Sequence, residues 1–250
     1  MNTGIFNTIH EKLSLKSNSA FAVSVICIAI GASVRLAYCV FYPVQPRDAY
    51  IYEQTMENWG TSGKIPTTSY FPLSLWILKI PHQYFQLEAM KGGILINILL
   101  GLFIIAFSVK IANRFFKNFY ITLSVGIIAA THPDLVFFSC SCLRENTYLA
   151  FSLLVLYFFA LYYREPNTFY LVLSSIFAAF AFLCILEGFE FLAIFSFLLL
   201  FLCIYKKVFF FKAVIHGIIF MTSFFLTICM TCFCLGFKLI SWDDITTRFL

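Results

Sequence analysis

The chain has 250 residues, 61% of them apolar and 12% charged, with a net charge of +5 and a mean hydropathy of +0.90; soluble domains carry about 25% charged residues. This composition excludes an ordinary soluble domain and predicts an all-α integral membrane protein built as one multispan bundle. A β-barrel is disfavoured because the apolar runs are continuous, whereas barrel strands alternate over about ten residues.

A short head, residues 1–19, carries Lys12 and Lys16 and resembles the charged start of a signal peptide. The apolar stretch behind it is too long for one and lacks a small-residue cleavage site, so residues 20–42 are expected to be a retained first span. Arg35 lies inside that span and must find a partner or a wet cavity.

The polar segment "VQPRDAYIYEQTMENWGTSGKIP" opens a long loop, residues 43–91. Within 48–59, Tyr52, Met56 and Trp59 recur at helical spacing while Glu53 and Glu57 share another face, and Gly60 is placed to stop the helix. The pattern predicts a helix lying on the membrane. "YFPLSLWILKIP", bracketed by Pro72 and Pro81, is too short to cross and is expected to be interfacial or re-entrant.

Further spans are expected at 92–109, 119–142, 147–163, 168–186, 191–205 and 213–237, giving about seven in a core of 20–237, followed by a short tail, 238–250. In the third, residues 119–131 rise only about 20 Å before His132, Pro133 and Asp134 interrupt. Either the helix kinks and continues or it stops within the membrane, where irregular backbone needs protein or a wet cavity over it. An outward-facing cavity near Asp134, Arg144 and Glu145 is therefore expected.

Charge sets the expected orientation. Lys110, Arg114, Lys117, Arg164, Lys206, Lys207 and Lys212 join the head on one side, which the positive-inside rule makes cytoplasmic. Ten of the twelve acids, and Trp59, Trp76 and Trp242, fall on the other side. These flanking cations account for the net charge without nucleic acid. The nine cysteines sit in or beside apolar runs and read as small packers; Cys232 and Cys234 lack the further ligands a metal site needs.

Three places carry candidate chemistry. Asp48 is a carboxylate at the mouth of the first span, either a helix N-cap or a base able to take a proton from an incoming hydroxyl. Arg144 and Glu145 in "SCSCLRENTYLAF" are either a phosphate-binding guanidinium with its acid, or a snorkelling arginine and a helix start, Glu145 and Asn146, favoured by the helix dipole. Glu187 and Glu190 in "ILEGFEFL" mark a turn that reads most simply as solvated. His132 reads as a polar cap on a broken helix.

In order and spacing, "RDAYIYEQTMENWGTSG", the Pro-led "YFPLSLWIL", "THPDLVFFSCSCLRENTYLAF" and "ILEGFEFL" resemble the polyprenyl-phosphate-sugar glycosyltransferases of the C-type membrane fold, especially the protein mannosyltransferase and lipid A aminoarabinose transferase branch. The resemblance covers about residues 19–237. It implies a membrane-embedded transferase that moves a sugar from a polyprenyl-phosphate donor to a lipid, glycan or protein acceptor on the outer face of the cytoplasmic or an ER-like membrane. By the same resemblance Asp48 and Glu145 are the catalytic acids, and Arg47, Arg144, Asp134 and Glu187 bind substrate. The chain departs from the pattern at Ala49, where many relatives have a second acid, and at Ile185, where the turn would have arginine; no ligand cluster supports a divalent cation. Relatives continue beyond seven spans, so the expected unit is a minimal core, a fragment or a degenerate relative. The rival readings are a transporter or lipid flippase with Arg35, Arg144 and Glu145 along its path, and a non-catalytic membrane partner.

Overall fold

The structure is a computed structural model that describes residues 17–62, 72–205 and 209–235. Residues 1–16 of the expected head, with Lys12 and Lys16, the tail 238–250 with Trp242, and Lys206 and Lys207 lie outside the described residues; residues 17–19 of that head begin α1. Every regular element described is helical: α1 (Ser17–Phe41), α2 (Arg47–Ser62), α3 (Pro72–Phe85), α4 (Ala89–Phe116), α5 (Phe119–Thr131), α6 (Pro133–Ser139), α7 (Glu145–Arg164), α8 (Thr168–Cys184), a 3-10 turn (Leu186–Phe189), α9 (Glu190–Ile204) and α10 (Phe210–Cys234).

Five of the described helical segments are long and apolar enough to cross a membrane, and the bent pair α5–α6 makes a sixth. This is the architecture of a multispan membrane protein. The remaining expected span, α8, has 17 residues, about 25 Å at 1.5 Å per residue, shorter than each of those five segments, the briefest of which has 19.

Two sub-bundles share the load. Val23 and Cys27 of α1, Ile105 and Val109 of α4, and Ala129 and Ala130 of α5 form one core. The larger core joins α7, α8, α9 and α10 through residues such as Phe159, Ala178, Phe195 and Phe220, with the Phe195 and Phe220 rings stacked at 4.0 Å. Helix α4 contacts both α5 and α7 and links the two halves.

The loop helices differ from expectation in one respect with a single cause: they bury their apolar faces in protein. In α2, Ala49 and Met56 are fully buried in a third cluster with Leu78 of α3, Ala89 and Met90 of α4, and Cys142 and Leu143. Trp59 joins the larger core and lies under the Lys79 ammonium at 4.9 Å, so it anchors to protein instead of lipid. Burial lowers the Lys79 pKa from the usual lysine range. Helix α2 also runs through Gly60 to Ser62. Likewise α3 continues past Pro81 to Phe85, and it packs against α4 and α8. These two helices cap the end of the bundle where α1 ends and α4 begins, here called the mouth.

The third expected span bends by 52° between α5 and α6. Pro133 opens α6, and His132 before it is extended at ψ 125°, the backbone region that a following proline favours. His132 joins the two helices through its backbone, and its side chain makes no cap bond.

Candidate functional site

At the mouth, α6 does not run straight into α7. The intervening residues 140–144 form an irregular turn, and a buried turn must satisfy its backbone polar groups with side chains. Asn97, fully buried on α4, donates both amide hydrogens to the turn, to Ser141 O and Leu143 O at 2.7 Å each. Gln45, in the short link before α2, donates to Cys140 O at 3.0 Å and accepts from Cys142 N at 3.2 Å. Asn146 of α7, fully buried, donates to Asn97 O at 2.8 Å and to Ser139 Oγ at 3.0 Å. Two glycines make room for this arrangement: a Cβ on Gly93 would collide with Cys142 Sγ, and one on Gly101 with Ser139 Oγ.

The turn delivers Arg144 and Glu145 to a half-buried position. Tyr52 of α2 shows what surrounds them. Burial pushes its hydroxyl pKa above the ordinary tyrosine value; the Arg144 cation opposes that shift, and Glu145, Asp48 and Cys142 add to it. Glu145 in turn interacts electrostatically with Arg144, Asp48 and Glu187, and Arg144 acts on Cys184 at the end of α8. Asp48, Tyr52, Arg144, Glu145 and Glu187 therefore form one electrostatic group, contributed by α2, the 140–144 turn, the start of α7 and the 3-10 turn. No protein-family model, curated protein or solved structure matches the chain.

The individual placements refine the sequence reading. Asp48 lies inside the first turn of α2, which begins at Arg47, so it is not an N-cap; it and Arg47 are exposed. Glu145 is the first residue of α7, and its Oε2, like Thr147 Oγ1, is buried with no hydrogen-bond partner. Arg144 is half-buried and acts on Tyr52, Glu145 and Cys184. Glu187 is exposed on the 3-10 turn. Glu190 is exposed too but accepts a hydrogen bond from Tyr148 Oη at 2.6 Å, so it is fixed more firmly than a solvated turn would need. Asp134 stays exposed on α6, 3.9 Å from His132 Nδ1, and does not join the group acting on Glu145 or Tyr52.

Among the described residues no three His, Cys, Asp or Glu side chains converge as metal ligands would. Burial and, secondarily, Glu53 raise Cys142, within the turn, to about 12. An apolar groove of about 440 Å³ lies instead along α9, lined by residues such as Phe197, Leu198 and Ile204, and contains none of the mouth carboxylates.

The sequence reading did not single out Gln45, Tyr52, Asn97, Ser139 or Asn146 as functional. Asn97 carried a usable signal, since a lone amide in "GGILINILLG" is costly in an apolar helix unless it holds something.

Proposed function

We propose that the chain is a membrane glycosyltransferase that moves a sugar, with inversion, from a polyprenyl-phosphate donor to an acceptor hydroxyl or amine at the mouth. One observation supports this most directly: two carboxylates from separate elements, Asp48 and Glu145, share an electrostatic environment with the Arg144 guanidinium and the Tyr52 hydroxyl. A displacement at a phosphorylated sugar needs a base for the nucleophile and a cation for the departing phosphate, close together but on different walls.

In this reading exposed Asp48 accepts the acceptor's proton, and general-base help of this kind is worth roughly 10²- to 10⁴-fold in rate. Arg144, with Arg47 at the rim, neutralises the leaving lipid phosphate through its planar donors. Glu145 holds Arg144, and Glu187 binds the sugar's hydroxyls. The donor's energy lies in its sugar-phosphate bond, so no nucleotide-binding loop is needed. Lateral entry of the lipid past α2 and α3 suits a site at the end of the bundle. The mouth faces the outer side, the N-terminus is cytoplasmic, and α8 is the seventh span; the cluster of cations Lys110, Arg114, Lys117 and Arg164 at the opposite end supports that orientation.

The test is transfer of a radiolabelled sugar from polyprenyl phosphate by the purified full chain in proteoliposomes, wild type against Asp48→Asn. Wild-type transfer with loss of at least 10²-fold in the variant is expected. Movement of the labelled lipid across sealed vesicles without a new glycosidic bond would replace this reading with transport. Transfer undiminished in the variant would remove Asp48 from its role.

A further inference from the structure

Two sulfurs beside the mouth have no part in the chemistry above. Cys140, at the start of the 140–144 turn and 2% exposed, directs its Sγ to the carbonyl oxygen of Arg35 on α1 at 3.3 Å. Cys39 follows Arg35 by four residues on the same helix, and a helical side chain leans back over the turn preceding its own Cα. That brings the Cys39 sulfur over the carbonyl that Cys140 already reaches. The Cys39 thiol acts on the Cys140 thiol, which burial above all holds up at about 12, and both are reduced.

The other cysteines do not offer this. Cys142 lies against Gly93 and Cys27 against Gly126. Only Cys39 and Cys140 bring together the end of a spanning helix and the turn that carries Arg144 and Glu145.

We propose that Cys39 and Cys140 are a redox-modification site, closing to a disulfide by exchange with a small disulfide of the glutathione class. Cys39 is the half-exposed member, so its thiolate attacks the incoming disulfide, forming a mixed disulfide and releasing one thiol. The Cys140 thiol, which burial keeps protonated at neutral pH, loses its proton at alkaline pH, then attacks the Cys39 sulfur and expels the second thiol. Two protein thiols are oxidised to one S–S bond, and the reagent disulfide is reduced to two thiols that carry away both protons. Both sulfurs lie beside the Arg35 carbonyl, and closure needs them to reach about 2.05 Å. The bond fastens α1 to the Arg144–Glu145 turn, and it closes a long loop, a linkage that restricts the unfolded chain. This inference does not depend on glycosyl transfer.

The experiment treats the purified full chain in detergent with oxidised glutathione at alkaline pH, alkylates the denatured product, and maps the peptides by mass spectrometry. The expected result is a Cys39–Cys140 linked peptide pair, with two of the nine cysteines lost to alkylation and no retained glutathione. The thermal midpoint should rise on oxidation of wild type and stay unchanged for Cys39→Ser. A glutathione adduct persisting on Cys39, linkage to any other cysteine, or no linked pair would overturn the proposal. The mapping uses wild-type protein, so it stands whether or not the variant folds.

Discussion

Asn97 spends both of its amide hydrogens on one turn, and the consequence of removing it is local and large. In Asn97→Leu the carbonyls of Ser141 and Leu143 lose their donors, and stranding a buried polar group costs roughly 1–3 kcal/mol. The variant should show a lower thermal midpoint and faster hydrogen exchange at residues 140–144 than at the middle of α4. Gln45→Leu should have a milder effect of the same kind, because its bonds are longer and the site is only partly buried. Tyr52 supplies a pH dependence. Its folded-state pKa is raised by burial above the ordinary value near 10, so above that value the native state holds its proton more tightly than the unfolded chain does. Its stabilising contribution is therefore complete below about pH 10 and is lost as pH rises through the higher folded value. Alkaline melts should decline less steeply for Tyr52→Phe than for wild type.

Helices show where the sequence could be read and where it could not. Residues 119–139 announced their break through His132, Pro133 and Asp134, and α5 and α6 do bend there. The bend is held from outside as well: Arg35 Nη1 bonds Ala130 O at 3.1 Å, and Asn146 bonds Ser139. Pro133→Ala should therefore keep the bend, measured by spin labels on α5 and α6, and cost about 0.4–1 kcal/mol in stability through the freer unfolded chain. The amphipathic face of α2 was equally legible, with Met56 and Trp59 on its buried side. What covers that face was not. Hydrophobic periodicity tells which side of a helix leaves water, and lipid and protein satisfy it alike. Pro72 and Pro81 misled for a related reason: the helix continues through Pro81 because tertiary packing of Leu73, Leu75 and Leu78 outweighs the lost backbone bond.

At the scale of the molecule, composition and run length were enough for a multispan helical bundle, because no water is present in a bilayer to satisfy open backbone. Charge clusters at helix ends gave the opposed ends of the bundle. A site shared by α2, the 140–144 turn and the 3-10 turn was expected only from the family resemblance, which also put Asp134 there; Asp134 stays apart on α6. The residues that build that site, Gln45, Asn97 and Asn146, are far apart in the chain and act through hydrogen bonds that leave no period. The proposed orientation predicts that Gln86→Cys at the mouth and Lys117→Cys at the opposite end, both exposed in the fold, react with a membrane-impermeant maleimide from opposite sides of sealed vesicles. Labelling of both from one side would leave an odd number of crossings between them untenable.

The burial of Arg35 sets a problem of timing. Its side chain is fully enclosed, with Nε and Nη2 lacking partners and Nη1 held by Gly31 O and by Ala130 O, the latter 95 residues further along the chain. A ribosome adding roughly 5–20 residues per second needs about 5–20 s to make that stretch. For that interval α1 carries a cation into the translocon that costs about 2.5–3.5 kcal/mol at a helix centre and has no place yet to settle, so the newborn first helix must wait in a hydrated channel until α5 emerges.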